Sequence, residues 1–474
     1  MNLLSYYGDY IASYKGKGVL TLKDGGIFKC KFETGQLRNG IVLLLCDFLA
    51  PFPNLLCISS VERFEGITSE GFQVLADNKI TSVNYLPDIP NDRSEGTWAA
   101  FYVRELSVQM AKDTKVKSIH FGITNFMFTG TEPSRLDNFS CLILPLNLKC
   151  TSDAMKLCII PVRGYNCIMK RVQTLKSIDV TCEVVCYNTG NGIAEDLREV
   201  VDNLCYLLSV TRGTKIQWIY CDLYSSTGKL ISRRHFSNVT KPYSPSAIID
   251  PRADGRYDTK AFLESTYDTF VEKIKPYKLK QGTIDAYLDA KAENDFLQMR
   301  GVKLAVAIEM LKAVFLELPN HIANEYIFTE EYFNKNLFKP LKKALSNVFK
   351  SKNIESSSRK AMYKKIKELN RISFGDLLRI ILDDIHLKVD EKDINLFKKC
   401  RDKLVHTGGF YYDRAKPEER KNTKPLPSRL HGYFFLVNFL DKVYLKLLGY
   451  NGPYIDWRTT KPRRANLSNQ CLDE

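Results

Sequence analysis

Hydrophobic periodicity changes once along this chain, around residues 238–259, and this change limits the possible folds more than any other feature. Before it, short apolar runs rich in Val, Ile, Thr and aromatic residues predict β-strands. Beyond it, apolar residues recur at every third or fourth position and predict helices. The sequence therefore predicts a multidomain chain, in which an N-terminal mainly-β (α+β) domain is followed by an all-α helical bundle.

Domain boundaries follow from the residues at this change. Pro242, Pro245, Pro251 and Gly255 lie among polar residues, as is typical of a linker. The predicted parts are a β-rich domain over 1–240, a linker over 241–259, an all-α domain over 260–455 and a basic tail over 456–474. A length of 474 residues agrees with this division, since domains average about 100–200 residues.

Charge is divided unequally between these parts. The chain has 69 Lys and Arg against 54 Asp and Glu, a formal net charge of +15. Residues 1–240 hold 26 basic and 23 acidic side chains, so +12 of the excess belongs to the remainder. A basic excess confined to one part of a chain indicates a polyanionic partner.

Two hairpin turns organise the strand pattern. Asp24-Gly25-Gly26 separates two apolar runs, and Ser226-Thr227-Gly228 separates another two. One amphipathic helix, from about Ile193 to Leu208, lies between them. The predicted strands are 18–22, 27–32, 41–46, 55–59, 99–110, 116–128, 136–144, 157–162, 178–187, 216–224 and 230–236.

Helical spacing dominates the remainder of the chain. Leu304, Ile308, Leu311 and Phe315 form the apolar stripe of a long helix that ends at Pro319. Ser373 begins another helix as an N-cap, because its side chain can accept a backbone hydrogen bond there. Helices are predicted at 293–318, 329–350, 357–370, 373–386, 391–407 and 428–448.

The sequence also predicts a cytoplasmic protein with no membrane segment, metal or cofactor. The first residues lack the basic and apolar regions of a signal peptide, and the longest apolar run contains Asp47 and Pro51. The thirteen cysteines include no CxxC pair, which favours buried thiols over a zinc site. Asp383, Asp384 and His386 form a possible metal cluster, but adjacent carboxylates diverge by ~100° on a helix, which favours solvated charge.

The segment 394–410 carries the most chemical information. Gly408 predicts the end of a helix just after His406. Asp402 lies four residues before His406, where it can orient the imidazole ring. Arg401 lies five residues before it, about 140° around an ideal helix at ~100° per residue. Arg401 and His406 therefore meet only if the last turn unwinds or if two symmetric helices come together.

The pattern Arg401-Asp402-Lys-Leu-Val-His406 resembles the catalytic motif of HEPN-domain ribonucleases, which has an Arg, a polar residue, three variable residues and a His. Its position late in an all-α bundle matches the context in that family. The N-terminal half looks like the β-rich domain of ApeA-type anti-phage proteins, on the glycines and apolar texture of Gly18–Leu22, Gly40–Leu44 and Phe64–Gly71. Together the two resemblances cover nearly the whole chain.

The resemblance implies metal-independent RNA cleavage by a HEPN homodimer whose two motifs face one cleft. His406 would move or position the proton of a ribose 2′-OH, Arg401 would stabilise charge on the phosphate, and Asp402 would have an orienting role. The implied products are a 2′,3′-cyclic phosphate and a 5′-hydroxyl. The implied biological role is abortive cleavage of tRNA or mRNA in phage defence, restrained by the β-rich domain until it detects a phage-derived trigger.

Two other functions stay open at this point. One is a non-catalytic RNA-binding or scaffold protein that uses the bundle for dimerisation. The other is the toxin of a toxin–antitoxin pair. Both keep the helical domain and differ in what it does.

Residues 342–371 carry a net charge of +8, because ten basic side chains are offset only by Glu355 and Glu368. A run this one-sided attracts phosphates more readily than it pairs internally, although a solvated helix face is the alternative. An aromatic side chain after the motif, Tyr411, can stack on a base or anchor its loop. The predicted RNA contacts are Lys342, Lys343, Lys360, Lys364, Lys365, Lys403 and Tyr411.

Overall fold

Strand-forming and helix-forming sequence separate into two compact units in this computed structural model. The β-rich unit comprises Met1–Val271 and Gly452–Ile455, and the helical unit comprises Glu272–Asn451 and Asp456–Glu474. The structure describes residues 8–48, 61–82, 98–111, 115–136, 139–150, 153–175, 177–187, 194–238, 246–252, 255–274, 283–292, 295–317, 326–352, 354–412, 426–458 and 463–467.

The β-rich unit is built on one antiparallel sheet of fourteen strands. The strands are β1 Tyr10–Leu22, β2 Ile27–Leu37, β3 Val42–Phe48, β4 Val61–Thr68, β5 Gln73–Ser82, β6 Trp98–Val103, β7 Glu105–Gln109, β8 Val116–Thr124, β9 Glu132–Leu136, β10 Phe139–Cys150, β11 Asp153–Pro161, β12 Val180–Tyr187, β13 Trp218–Ser225 and β14 Leu230–Phe236. Their order is β4-β1-β2-β3-β6-β5-β7-β14-β13-β8-β12-β11-β10-β9. The two predicted hairpins, β1–β2 and β13–β14, are both present.

An additional pairing between β4 and β5 closes the first six strands into a ring. Its interior is filled by buried apolar side chains from all six strands. Gly18 of β1 pairs with Gly66 of β4, and each faces an aromatic ring that a side chain would displace. A β-carbon on Gly18 would lie 2.8 Å from the Phe64 ring, and one on Gly66 would lie 2.6 Å from the Phe32 ring. These glycines therefore let large aromatic residues fill the ring without separating β1 from β4.

Three helices belong to the β-rich unit: α1 Tyr165–Leu175, α2 Ala194–Arg212 and α3 Arg256–Thr269. The buried guanidinium of Arg212, at the end of α2, fixes α3 and two loops. It donates 2.8 Å to the carbonyl of Met127, 3.3 Å to that of Ile249 and 3.4 Å to the hydroxyl of Thr259. Helix α3 begins in the predicted linker and continues into the predicted all-α domain, but it belongs to the β-rich unit. Residues 241–245 and 253–254 of the predicted linker lie outside the described residues.

The helical unit follows the predicted 3.6-residue period. Its helices are α4 Asp285–Lys291, α5 Leu297–Glu317, α6 Glu330–Phe333, α7 Lys339–Ser351, α8 Ser356–Glu368, α9 Phe374–Asp384, α10 Glu391–Thr407 and α11 Arg429–Leu447. Two π-helical segments, Phe270–Ile274 and Asn334–Phe338, and two short strands, β15 Pro453–Asp456 and β16 Arg463–Asn466, complete the elements. Helices α5, α9 and α11 all pack against α10.

The broad layout confirms the prediction of a mainly-β N-terminal part followed by a helical part. Strands β4, β5, β9, β15 and β16 and helices α1, α3 and α4 were not predicted. The predicted helix at 329–350 is interrupted by a π-helical segment. The predicted strand at 55–59 lies outside the described residues. In the part of the chain that the structure describes, no helix is long and apolar enough to cross a membrane.

Candidate active site

Helix α10, which carries Arg401 and His406, is unbroken and capped at both ends. The side chain of Asp390 accepts a hydrogen bond of 2.9 Å from the backbone N–H of Lys392, as an N-cap does. At the other end Gly408 adopts φ +63°, and its N–H donates 2.8 Å to the carbonyl of Leu404. The predicted helix end is therefore confirmed, and no turn unwinds between Arg401 and His406.

Aromatic stacking fixes α10 against its neighbours. The ring of Phe397 stacks on Phe439 of α11 at a centroid distance of 4.2 Å and on Phe374 of α9 at 6.3 Å. On the third side, Gly301 of α5 lies close to Leu404. A β-carbon there would be 2.8 Å from the Leu404 side chain and from the ring of Phe410. This close approach brings α5 within reach of polar side chains on α10.

The guanidinium of Arg401 is held by three groups. Its Nε donates 2.9 Å to Oε1 of Glu309 on α5, and its Nη2 contacts the same carboxylate. Its Nη1 donates 2.9 Å to Oδ1 of Asp402. The guanidinium carbon also lies 4.6 Å from the centre of the Phe374 ring, within the range of a cation–π contact. These contacts leave the Arg401 side chain only 14% exposed.

Electrostatics keep this guanidinium charged. Partial burial acts to lower the pKa of Arg401, but hydrogen bonds to Asp402 and Glu309 outweigh burial and raise it above the ordinary value. Glu309 also lies 3.5 Å from the Nζ of Lys312, one turn further along α5. The cluster is thus a fixed positive group bounded by two carboxylates.

His406 is in a different environment. It lies exposed in the last turn of α10, and its imidazole ring forms no hydrogen bond or ion pair with any of the described residues. The carboxylate of Asp402 is bonded to Arg401 and makes no bond to His406. One chain therefore presents Arg401 fixed on the bundle and His406 free to meet another molecule, and it does not bring the two together.

The predicted RNA contacts are spread over two regions. Lys342, Lys343, Lys360, Lys364 and Lys365 are exposed on α7 and α8, and Lys403 is exposed on α10. Tyr411 is half-buried just beyond α10, next to Phe410, which is buried against Tyr433 at 5.9 Å. A β-carbon on Gly432 of α11 would lie 2.5 Å from the carbonyl oxygen of Tyr411, so this backbone packs tightly on α11. That packing favours the loop-anchoring role.

Asp383, Asp384 and His386 lie at the exposed end of α9. The ring nitrogen Nδ1 of His386 is 3.0 Å from the backbone oxygen of Asp383, and His386 itself has φ +52°. Among the residues that the structure describes, no group of three or more His, Cys, Asp or Glu side chains is placed to hold a metal ion.

Sequence reasoning did not include Glu309 and Phe374 among the site residues. The available signal was the position of Glu309 next to Ile308 in the apolar stripe of α5, which puts a carboxylate close to a packed interface. Phe374, directly after the predicted N-cap Ser373, carried no signal of a contact with Arg401. The Ser373 cap itself is confirmed, since its hydroxyl accepts from the N–H of Asp376 at 3.2 Å.

Comparison with known proteins does not identify a family. The chain matches no protein-family model, no curated protein and no solved structure.

Proposed function

We propose that the protein is an endoribonuclease whose active site forms where the α10 helices of two copies meet. The observation that carries this proposal is that two side chains on one unbroken helix have different environments. Arg401 is fixed by Glu309 and Asp402, whereas His406, five residues later, is exposed. Because α10 keeps them about 140° apart, a second copy can supply the histidine that faces the arginine of the first.

The chemistry that such a pair supports is internal transfer at a phosphodiester. His406 removes the proton of a ribose 2′-OH, whose oxygen then attacks the adjacent phosphorus. The bond from phosphorus to the 5′-oxygen breaks, and that oxygen receives a proton. Imidazole suits this role because it exchanges protons near neutral pH. The products are a 2′,3′-cyclic phosphate and a 5′-hydroxyl, and no water is consumed.

Arg401 would stabilise the negative charge that develops on the phosphate. Glu309 occupies the Nε edge of the guanidinium and also contacts Nη2, so Nη1 is the position that a phosphate oxygen would take. There it would displace Asp402, which is adjacent in sequence and 41% exposed at its side chain. Asp402 would then be released to orient a histidine.

Complementation between inactive variants tests this proposal. Arg401→Ala and His406→Ala are each expected to abolish cleavage of labelled tRNA and total RNA while leaving the circular dichroism spectrum unchanged. A mixture of the two variants, unfolded and refolded together, produces dimers with one intact Arg401–His406 pair across the interface. Such dimers should recover up to half of the wild-type activity.

Three results would contradict the proposal. Cleavage that persists in both single variants would exclude this active site. Failure of refolded mixtures to recover activity, with dimers demonstrated by light scattering, would exclude pairing between chains. Products with 3′-hydroxyl ends, or strict loss of activity in EDTA, would exclude the internal-transfer chemistry.

A role in phage defence is part of the proposal and rests on the resemblance of both halves. Expression of the wild type should reduce phage yield in a susceptible bacterial host, and expression of the His406→Ala variant should not.

The alternative function is RNA binding without cleavage, which the exposed lysines of α7 and α8 favour. Full RNA binding with intact RNA in phage-infected lysate would support that alternative.

A further inference from the structure

Residues 326–371 form a helical hairpin that is closed at its base by Asn370. The side-chain amide of Asn370 donates 2.9 Å to the carbonyl of Phe328 and accepts 2.9 Å from its N–H. The backbone carbonyl of Asn370 also accepts 2.7 Å from the N–H of Ile327. The buried Asn370 thus joins the point where the chain enters the hairpin to the point where it leaves.

Helices α7 and α8 are antiparallel within this hairpin. The ring of Phe349, late in α7, packs edge-on against Tyr363 of α8 at 5.6 Å. The Nζ of Lys367, late in α8, lies 5.7 Å from the ring of Phe338, just before α7. Phe349 and Ile366 are buried and mark the sides of α7 and α8 that face inward.

Six lysines lie on one outer face of this pair. At ~100° per residue, Lys339, Lys343 and Lys350 lie about 80–120° around α7 from Phe349. Lys360, Lys364 and Lys367 lie about 100–160° around α8 from Ile366, in the same sense of rotation. In antiparallel helices, the same sense of rotation away from the contact leads to the same side of the pair. We call this the lysine face, and its members are Lys339, Lys343, Lys350, Lys360, Lys364 and Lys367.

The lysine face is exposed, and one carboxylate borders it. All six lysines are exposed, and within the described residues none of them forms an ion pair. Glu368 borders this face, about 40° from Lys364 and one turn further along α8, and its carboxylate pairs with Arg371 at 3.2 Å. Two predicted RNA contacts of the hairpin lie off this face: Lys342 is about 20° from Phe349, over the Tyr363 ring at 5.2 Å, and Lys365 is about 100° from Ile366 in the opposite direction.

We propose that the lysine face binds the phosphate backbone of RNA, and that it delivers substrate to the site on α10. This second part rests on the proposed nuclease function. Lys339 and Lys350 are eleven residues apart, so the face is about 16 Å long at ~1.5 Å per residue. Lysines act as point charges towards phosphate and read no base sequence. Binding is therefore expected to be strong, sequence-independent and sensitive to salt.

The placement of apolar side chains favours RNA over a membrane. Leu341, Val348 and Leu369 are exposed at 40%, 51% and 61%, but they lie on the side of the hairpin away from the lysines. The lysine face can therefore contact an aqueous polyanion without covering apolar side chains. A lipid bilayer would instead need the apolar side to be buried, with the lysines at its border.

Two charge-matched double variants test this proposal in a His406→Ala background, where RNA stays intact. One removes two lysines from the face, Lys343→Gln with Lys360→Gln. The other removes two exposed lysines of the same hairpin that lie off the face, Lys352→Gln with Lys365→Gln. Fluorescence anisotropy with a labelled single-stranded RNA, at several salt concentrations, gives the Kd and its salt dependence.

The face variant should weaken RNA binding on the order of tenfold near 0.1 M salt and reduce the salt slope by about 1.4, since each lost phosphate contact removes ~0.7 for single strands. The off-face variant should bind as the background does. Equal weakening in both variants, no weakening in either, or binding to phosphatidylserine vesicles without RNA binding would overturn the proposal.

If the face variant loses binding while His406→Ala alone still cleaves, RNA binding by the face stands and the active site on α10 fails. If His406→Ala abolishes cleavage and the face variant binds normally, the active site stands and the lysine face fails.

Discussion

Arg401 and Glu309 are 92 residues apart in the chain, yet the Nε of Arg401 donates a hydrogen bond of 2.9 Å to Oε1 of Glu309. The carboxylate belongs to α5 and the guanidinium to α10, so the relative position of two helices sets the direction of the arginine. Any catalytic use of Arg401 therefore depends on the packing of α5. That dependence leads to the first two predictions.

Glu309→Gln is expected to slow RNA cleavage roughly tenfold, because one charge-assisted hydrogen bond that holds Arg401 is replaced by a weaker neutral one. RNA affinity should stay within about twofold, since that carboxylate does not contact substrate in the proposed mechanism. Single-turnover rates at saturating enzyme measure the effect. Glu331→Gln, an exposed carboxylate on α6, is the matched control. An unchanged rate in Glu309→Gln would show that the contact does not position Arg401.

Two helix glycines are expected to respond in opposite directions to substitution. Gly301→Val would force atoms against Leu404 and Phe410, where even a β-carbon lies at 2.8 Å, so it should destabilise the helical unit by about 1–3 kcal/mol. Gly375→Ala in α9 meets nothing closer than 3.6 Å and should stabilise it by up to about 1 kcal/mol. Urea unfolding monitored by circular dichroism distinguishes the two. Stabilisation by Gly301→Val would contradict the close packing of α5 on α10.

Lys291 and Asp441 form a fully buried pair in the helical unit, with Nζ 2.9 Å and 3.1 Å from the two carboxylate oxygens. Burial lowers the pKa of Lys291 and raises that of Asp441, so each group depends on the other to stay charged. Lys291→Met should destabilise by about 3–5 kcal/mol, because it leaves a carboxylate buried without its partner. Adding Asp441→Leu should recover most of that loss. A double variant as unstable as the single one would mean that packing, and not charge, determines the effect.

His235 should make stability of the β-rich unit sensitive to mild acid. Burial, followed by the nearby charge of Arg233, lowers its pKa to about 3. Its ring is bonded to Gln36 at 2.9 Å and to the hydroxyl of Tyr14 at 3.1 Å. The unfolded chain binds a proton below about pH 6.5 and the folded chain does not, so stability is complete above that pH and falls as pH decreases towards 3.

At pH 4, protonation of this histidine in the unfolded chain lowers the free energy of unfolding by roughly 3 kcal/mol relative to pH 7, at 1.36 kcal/mol per pKa unit. His235→Asn removes the titrating ring. The difference in unfolding free energy between wild type and variant, measured by urea at pH 7 and pH 4.5, should therefore shrink at the lower pH. If the difference in unfolding free energy does not change with pH, the ring has the same pKa in the folded and the unfolded chain.

Local signals allowed both ends of α10 to be predicted. Its spacing, its glycine stop and the neighbouring Ser373 cap all lie within a few positions of the elements that they define. Strands β4 and β5 were missed, because charged residues such as Glu62, Arg63 and Glu65 interrupt the apolar pattern of β4. Strand β4 forms because it pairs with β1, which is distant in sequence, and with β5. The turn that joins β4 to β5 carried no clear signal.

The candidate site divides in the same way. Arg401, Asp402 and His406 could be selected from one short segment, and the helix end after His406 could be predicted with them. The partners of Arg401 could not, since Glu309 reaches it only through the approach of α5 at Gly301. The bond from Asp402 to Arg401, instead of to His406, also depends on where the guanidinium is drawn by that packing.

The closure of the α7–α8 hairpin at Asn370 has a consequence for how this domain can vary. Since the N–H of Ile327 and the carbonyl of Asn370 are hydrogen-bonded at 2.7 Å, the hairpin starts and ends at almost the same point. Its length and surface can change, or the whole hairpin can be exchanged for a short turn, without altering the spacing of the helices that hold Arg401. The proposed RNA-binding face and the proposed active site can therefore vary separately within one helical unit.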